Sequence, residues 1–173
     1  MSMNRIRTIT IAQPELFSRV ACFGIATLIL TTVHHAYGAY IFAAPWRLHV
    51  ALISLPVAVA IAVSRSLYQR HPHGALGATA FWIVIALTLL VSVALFGVFE
   101  GTYNHVLKNA LYFGGASPEV LNHLFPAPTY ELPSDLFFEI TGMLHVIPAG
   151  MASWSLFRLF HPRTPISMVS AAA

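Results

Sequence analysis

A chain of 173 residues that is 57% hydrophobic and only 9% charged, with a mean hydropathy of +0.73, lies outside the range of soluble globular domains and reads as one integral membrane domain. Its net charge of +3 comes from basic residues gathered on one side of the predicted topology, which signals orientation in a membrane and no nucleic-acid surface. The single cysteine, Cys22, excludes an intrachain disulfide or a thiolate cluster.

The first predicted span covers residues 17–42, with Arg5 and Arg7 ahead of it and Arg19 at its start. Its apolar run is too long for a signal-peptide core and ends without a clean cleavage site, so it is expected to remain as a membrane helix. Gly24, Thr27, Thr31, His34 and Gly38 recur at spacings of three and four, making a stripe of small and polar residues. Such stripes face other helices in preference to lipid, which points His34 inward. His35 lies about 100° round the helix and would flank the same cavity.

The second span covers residues 45–67 and opens at Pro45. His49 sits near its start on the face of Pro56, and its neighbours Trp46 and Arg47 also suit a plain interfacial reading. The third covers residues 75–112, embedded to about Glu100, with Gly114 and Gly115 as its stop. Glu100, Asn104, Lys108 and Tyr112 form a polar ridge at four-residue spacing. On an α-helix His105 falls more than a quarter turn off that ridge and reads as a solvated neighbour.

After it, Ser117, Pro118 and Glu119 predict a short helix in an external loop, and Pro126-Ala127-Pro128 stiffens that loop into a lid. The fourth span covers residues 134–160, with Ser134 as its cap. Gly142, Ala149 and Ser153 form its small-residue face, with Glu139 on one shoulder and His145 on the other. Pro148 lacks an amide hydrogen and should release the carbonyl of Leu144, bending the helix beside His145. As a bare alternative, Glu139 would favour the positive end of the helix dipole. His71, His73, His123 and His161 fall in loops or at helix ends and call for no special role.

These elements predict an all-α, four-helix membrane bundle in a single domain, residues 1–173. Arg65, Arg70, Arg158 and Arg163 share a side with the N-terminal arginines, so the positive-inside rule places both termini in the cytoplasm. His34, His35, His49, Glu100, His105, Glu139 and His145 then gather in the opposite, periplasmic half, as expected for a bacterial inner-membrane protein. Arg47 is expected to pair with Glu100 or Glu139, and Lys108 with Glu131 or Asp135.

Ionisable side chains inside a membrane mark functional sites. The leading expectation is a transition-metal site (iron, copper or zinc) with His34, His49, Glu100 and His145 as ligands and His35 and His105 as reserve cofactor-binding residues. Glu139, Tyr103 and Asn104 would serve proton transfer and hydrogen bonding, and the reaction would be an oxidoreduction of a small or lipid-soluble substrate. Three alternatives use the same residues. Haem b could be held by His34 or His35 with His145, in an electron-transfer subunit. A metal-free acid/base enzyme could act on a lipid-like substrate. A non-catalytic subunit could use its buried polar groups on partner helices in a larger membrane complex or homo-oligomer. The expected partners are the lipid bilayer and such a substrate or subunit.

Overall fold

The computed structural model describes residues 13–161, and they are helical throughout apart from the connections. Four helices are long and apolar enough to cross a membrane: α1 (Pro14–Ile41), α2 (Leu48–Arg70, entered by a 3-10 turn at Pro45–Arg47), α3 (Ala75–Phe113) and α5 (Leu136–Phe160). A short helix, α4 (Pro118–Leu124), lies between the last two. Large apolar side chains such as Leu52, Val59 and Leu90 are 61–75% exposed around the bundle, a surface that suits lipid and not water. The chain is an integral membrane protein by these features. Arg5, Arg7 and Arg163, which contributed to the expected orientation, lie outside the described residues.

The sequence sets the helix limits locally. Pro14 occupies the first turn of α1, with Glu15 beside it at the positive end of the helix dipole. Ser117 and Asp135 accept backbone amide hydrogen bonds from Val120 and Phe138 and so cap α4 and α5. Gly74 stands at φ 94° before α3, a conformation that favours glycine. α5 is interrupted for one residue at His145, between Leu136–Leu144 and Val146–Phe160. Pro148 has no amide hydrogen for the Leu144 carbonyl, which accounts for a break at this point.

Cross-helix contacts fix the topology. Thr32 meets Ser54 at 2.7 Å and Arg65 reaches Ser18 at 3.3 Å, so α1 and α2 run antiparallel. His34 meets Thr141 and Thr31 meets His145, which sets α5 antiparallel to α1 as well. One half of the bundle is a dry core built on Phe17, Leu28, Ile61, Phe81, Val84 and Leu159. Phe17 stacks on Phe81 with ring centroids 5.3 Å apart and meets the edge of Tyr68 at 4.8 Å. The other half is filled by buried polar side chains, among them His34, His35, His105, Lys108, Glu139 and His145.

The winding of α3 changes between these halves. From Thr88 to Leu107 its backbone makes i→i+5 hydrogen bonds, and the Thr102 hydroxyl likewise donates to the carbonyl of Gly97, five residues back, at 3.1 Å. The buried positions follow that wider turn: Thr88, Ser92, Phe96 with Gly97, Gly101, and Asn104 with His105. Spacings of four to five would drift round an α-helix but stay on one face of this one. Gly97 and Gly101 lie on it, and a β-carbon at Gly101 would stand 2.9 Å from that of His145. Close approach of α3 and α5 therefore depends on both glycines.

Because Phe81 is fully buried between α1 and α2 in the dry half, Phe81→Ala should cost about 3–5 kcal/mol of stability. Thermal unfolding in detergent would show a lowered midpoint, and an unchanged midpoint would contradict this placement at the bundle centre.

Candidate metal centre

Three imidazoles and one carboxylate converge where α1 and α3 lie side by side. The Glu100 Oε1 stands 3.6 Å from His34 Nε2, 3.4 Å from His35 Nε2 and 3.5 Å from His105 Nε2. His34 Nε2 and His105 Nε2 are themselves 3.1 Å apart. The donor atoms of His34, His35 and Glu100 all lie within 4.8 Å of one another, a group that can hold a metal ion. Donors on one tetrahedral metal with bonds of about 2.0–2.2 Å stand about 3.3–3.6 Å apart, which matches the three distances to the carboxylate.

The outward hydrogen bonds of two imidazoles decide what their inner nitrogens present. Thr141 gives its hydroxyl proton to the Phe137 carbonyl at 2.8 Å, so it accepts from His34 Nδ1–H at 3.0 Å. Glu139 accepts from His105 Nδ1–H at 2.8 Å. With both protons on Nδ1, the Nε2 atoms are lone-pair acceptors aimed at each other and at Glu100. Three acceptors facing one another without a donor, as the neutral imidazoles present them, is unfavourable when buried; a metal ion or one added proton between them removes the conflict. His35 adds a fourth donor, and neither of its buried nitrogens makes a hydrogen bond among the described residues.

Glu139 is tied on both oxygens. Its Oε1 accepts from Lys108 Nζ at 3.0 Å, and its Oε2 accepts from His105 and from the Asn109 side chain. Lys108 also donates to the Glu131 carbonyl at 2.7 Å, joining the site to the loop before α5. On the other side Asn104 donates to Glu100 Oε2 at 2.6 Å, which turns Oε1 towards the imidazoles. Gly142 makes this layer possible, because a β-carbon there would collide with the His105 ring.

The structure thus joins His34, His35, Glu100 and His105 directly, with Glu139 and Asn104 bonded to them from outside. His145 does not join them. Both its ring nitrogens are 2.9 Å from oxygen partners, Gly142 O and Thr31 Oγ1, and its ring lies edge-on to His34 with centroids 5.4 Å apart. His49 is exposed, bonded to the Trp46 carbonyl and stacked on its indole. Tyr103 points to the loop, donating to the Leu124 carbonyl at 2.8 Å and packing on Phe125. Arg47 pairs with Glu131, and Lys108 with Glu139, so the expected acidic partners are exchanged between them.

His105 stands at the centre and is 2% exposed. On an α-helix it would lie about 140° from Glu100, whereas i→i+5 winding brings residues five apart onto one face. Thr141 and Asn109 were not expected from sequence. The Lys108-Asn109 pair follows His105 by three and four residues, a spacing that marks one helix face and was the available signal.

From the surface, a cavity of about 200 Å³ leads down to His35, Glu100 and His105. Arg47, Asn104 and Tyr130 also line it, with Trp46, Phe99 and Phe138 as apolar walls. Burial pushes the Tyr130 phenol above its ordinary range, so it stays a neutral hydroxyl. Comparison with protein-family models, curated proteins and solved structures gave no match.

The Lys108–Glu139 pair is almost fully buried, with side chains 3% and 6% exposed. Glu139→Ala should cost about 3–5 kcal/mol by leaving the ammonium uncompensated, and Lys108→Met added to Glu139→Met should recover much of it. Chemical denaturation of the detergent-solubilised variants would show this ordering, and equal stability of the single and double variants would contradict it.

Proposed function

We propose that this protein is a membrane oxidoreductase with one transition-metal ion held by His34 Nε2, His35 Nε2, His105 Nε2 and Glu100 Oε1. The observation that carries the reading is the pair of imidazoles bonded outward through Nδ1, to Thr141 and Glu139, with their Nε2 atoms 3.1 Å apart beside a carboxylate. Glu139–His105–metal then forms the carboxylate–histidine arrangement that orients and enriches metal ligands.

The donor set favours the metal class. Imidazole and carboxylate without thiolate, with open positions on the coordination sphere, is the ligand pattern of non-haem iron(II), and we place iron first, before copper and zinc. The cavity reaches three of the four donors, which supports an ion exposed to small molecules over a closed structural one. Iron supplies one-electron chemistry there. The protein's own residues hold the ion, keep His105 and His34 in a single tautomer, and exclude bulk water with Phe138 against the His34 ring at 4.1 Å.

Haem fits these residues less well. Imidazoles on opposite sides of one iron stand about 4 Å apart, with a flat macrocycle between them. The His34–His105 pair is nearer than that, with Glu100 beside it, and His145, the expected second haem ligand, has both ring nitrogens bonded to Gly142 O and Thr31 Oγ1. The distance of 3.1 Å does suit a shared proton, which is the acid/base alternative.

The protein purified in mild detergent should contain about one metal ion per chain by mass spectrometry and show no Soret band. Alanine at His34, His35, Glu100 or His105 should remove the metal, while His49→Ala and His123→Ala keep it. Glu139→Gln should retain the site with affinity weakened about 10–100-fold. Absence of metal in the native protein, and failure to take up added iron, copper or zinc, would defeat the metal reading and leave the shared proton.

A further inference from the structure

Arg47 is buried at the entry to α2 and has hydrogen-bonding capacity that no other described residue uses. Its side chain is 6% exposed, and its Nε and Nη2 have no hydrogen-bond partner. Those two nitrogens form one edge of the guanidinium, the fork that matches two oxygens of a carboxylate. The Glu131 Oε1 lies 3.6 Å from Nη2, beyond hydrogen-bonding range, and its side chain is 38% exposed at the rim. Phe42, Trp46 and Phe138 surround the guanidinium at 5.0–5.5 Å, so its orientation is fixed by packing on rings.

Arg47 lines the same cavity as His35, Glu100 and His105. Arg47 and Lys108 are positive there, and Glu131, Glu100 and the Lys108-bound Glu139 are negative. Two positive against three negative leaves −1, and a divalent ion in the His/Glu site turns this to +1. A monoanion is therefore the charge that closes the balance, and neither a dianion nor an amine does so. The volume of about 200 Å³ is below that of pockets for drug-sized molecules, roughly 300–1,000 Å³, which limits the guest to a small one. The aromatic walls suit an apolar body behind its charged head.

Building on the metal reading, we propose that this cavity binds a small monocarboxylate with an apolar body, its carboxylate held by the Nε/Nη2 edge of Arg47 and its other end facing the metal. Asn104 Oδ1, also buried and unbonded, is an acceptor beside the same path. It would take a hydrogen bond from a hydroxyl or a metal-bound water. Glu131 keeps its place at the rim, where its charge repels the incoming carboxylate.

Cobalt(II)-loaded protein in detergent provides the test, with cobalt measured by mass spectrometry before each titration. Benzoate should shift the visible ligand-field bands saturably, and benzylamine, similar in shape but cationic, should not. Arg47→Met should weaken benzoate binding by about tenfold or more while cobalt content stays the same. Glu131→Gln, a rim change that leaves the buried layer alone, should tighten it, and this variant decides the matter if Arg47→Met does not fold. If no cobalt binds, the metal reading fails and takes this proposal with it. If cobalt binds but benzoate leaves the bands unmoved, or benzylamine acts equally well, or neither variant alters affinity, the carboxylate site alone is overturned.

Discussion

Two histidines held back to back organise the polar half of this bundle. Each imidazole has one proton when neutral, and the protein spends both on outward partners: the Thr141 hydroxyl for His34 and the Glu139 carboxylate for His105. In that neutral form the inner nitrogens are acceptors, 3.1 Å apart, with Glu100 beside them. The arrangement is costly in a low-dielectric interior unless a cation sits within it. Glu139 in turn needs Lys108 and Asn109, and Lys108 reaches the Glu131 carbonyl in the loop. One choice of tautomer thus runs outward through a chain of contacts to the surface.

Such a cluster needs a frame that does not yield, and the other half of the bundle supplies it. Aromatic and aliphatic side chains of all four long helices pack there, while polar groups at the opposite end bring α1, α3 and α5 together. Glycine is what allows that approach. Gly38 lies under the Phe138 ring, Gly142 under the His105 ring and Gly101 against the His145 β-carbon, so the helices meet on backbone at these points. Van der Waals contact of this kind is a principal source of helix association where the solvent is itself apolar.

Much of the architecture was legible in the chain because hydrophobic length and the bilayer's thickness leave few choices. The inward stripe of α1 likewise carried His34 to its correct face, since α1 is an ordinary α-helix and its period is the expected one. Phase reasoning failed on α3 for a physical cause: the helix is wound more widely from Thr88 onward, so the face containing Glu100 also contains His105 and not only residues four apart. Nothing local in 88–107 announces that winding. His145 misled in the other direction, since depth and a neighbouring small-residue face are equally true of a histidine that bonds Thr31 and the Gly142 carbonyl within the bundle. Depth identifies a buried polar group but does not say whether its partners are internal.

The wide turn of α3 also explains why a site can exist at this point. An α-helix would separate Glu100 from His105 by well over a quarter turn, leaving one of them facing lipid or another helix. Widening the turn costs hydrogen-bond geometry and packing along the helix axis, and for that reason such stretches are short and rare unless something compensates them. Here the compensation lies in side-chain bonds made only in this winding: Thr102 to Gly97, Glu100 beside His105, and His105 onto Glu139 across the helix pair. A ligand that binds both Glu100 and His105 adds to the same side of the balance. Winding and site therefore stabilise each other, and neither is expected to persist if the contacts between Glu100 and His105 are removed.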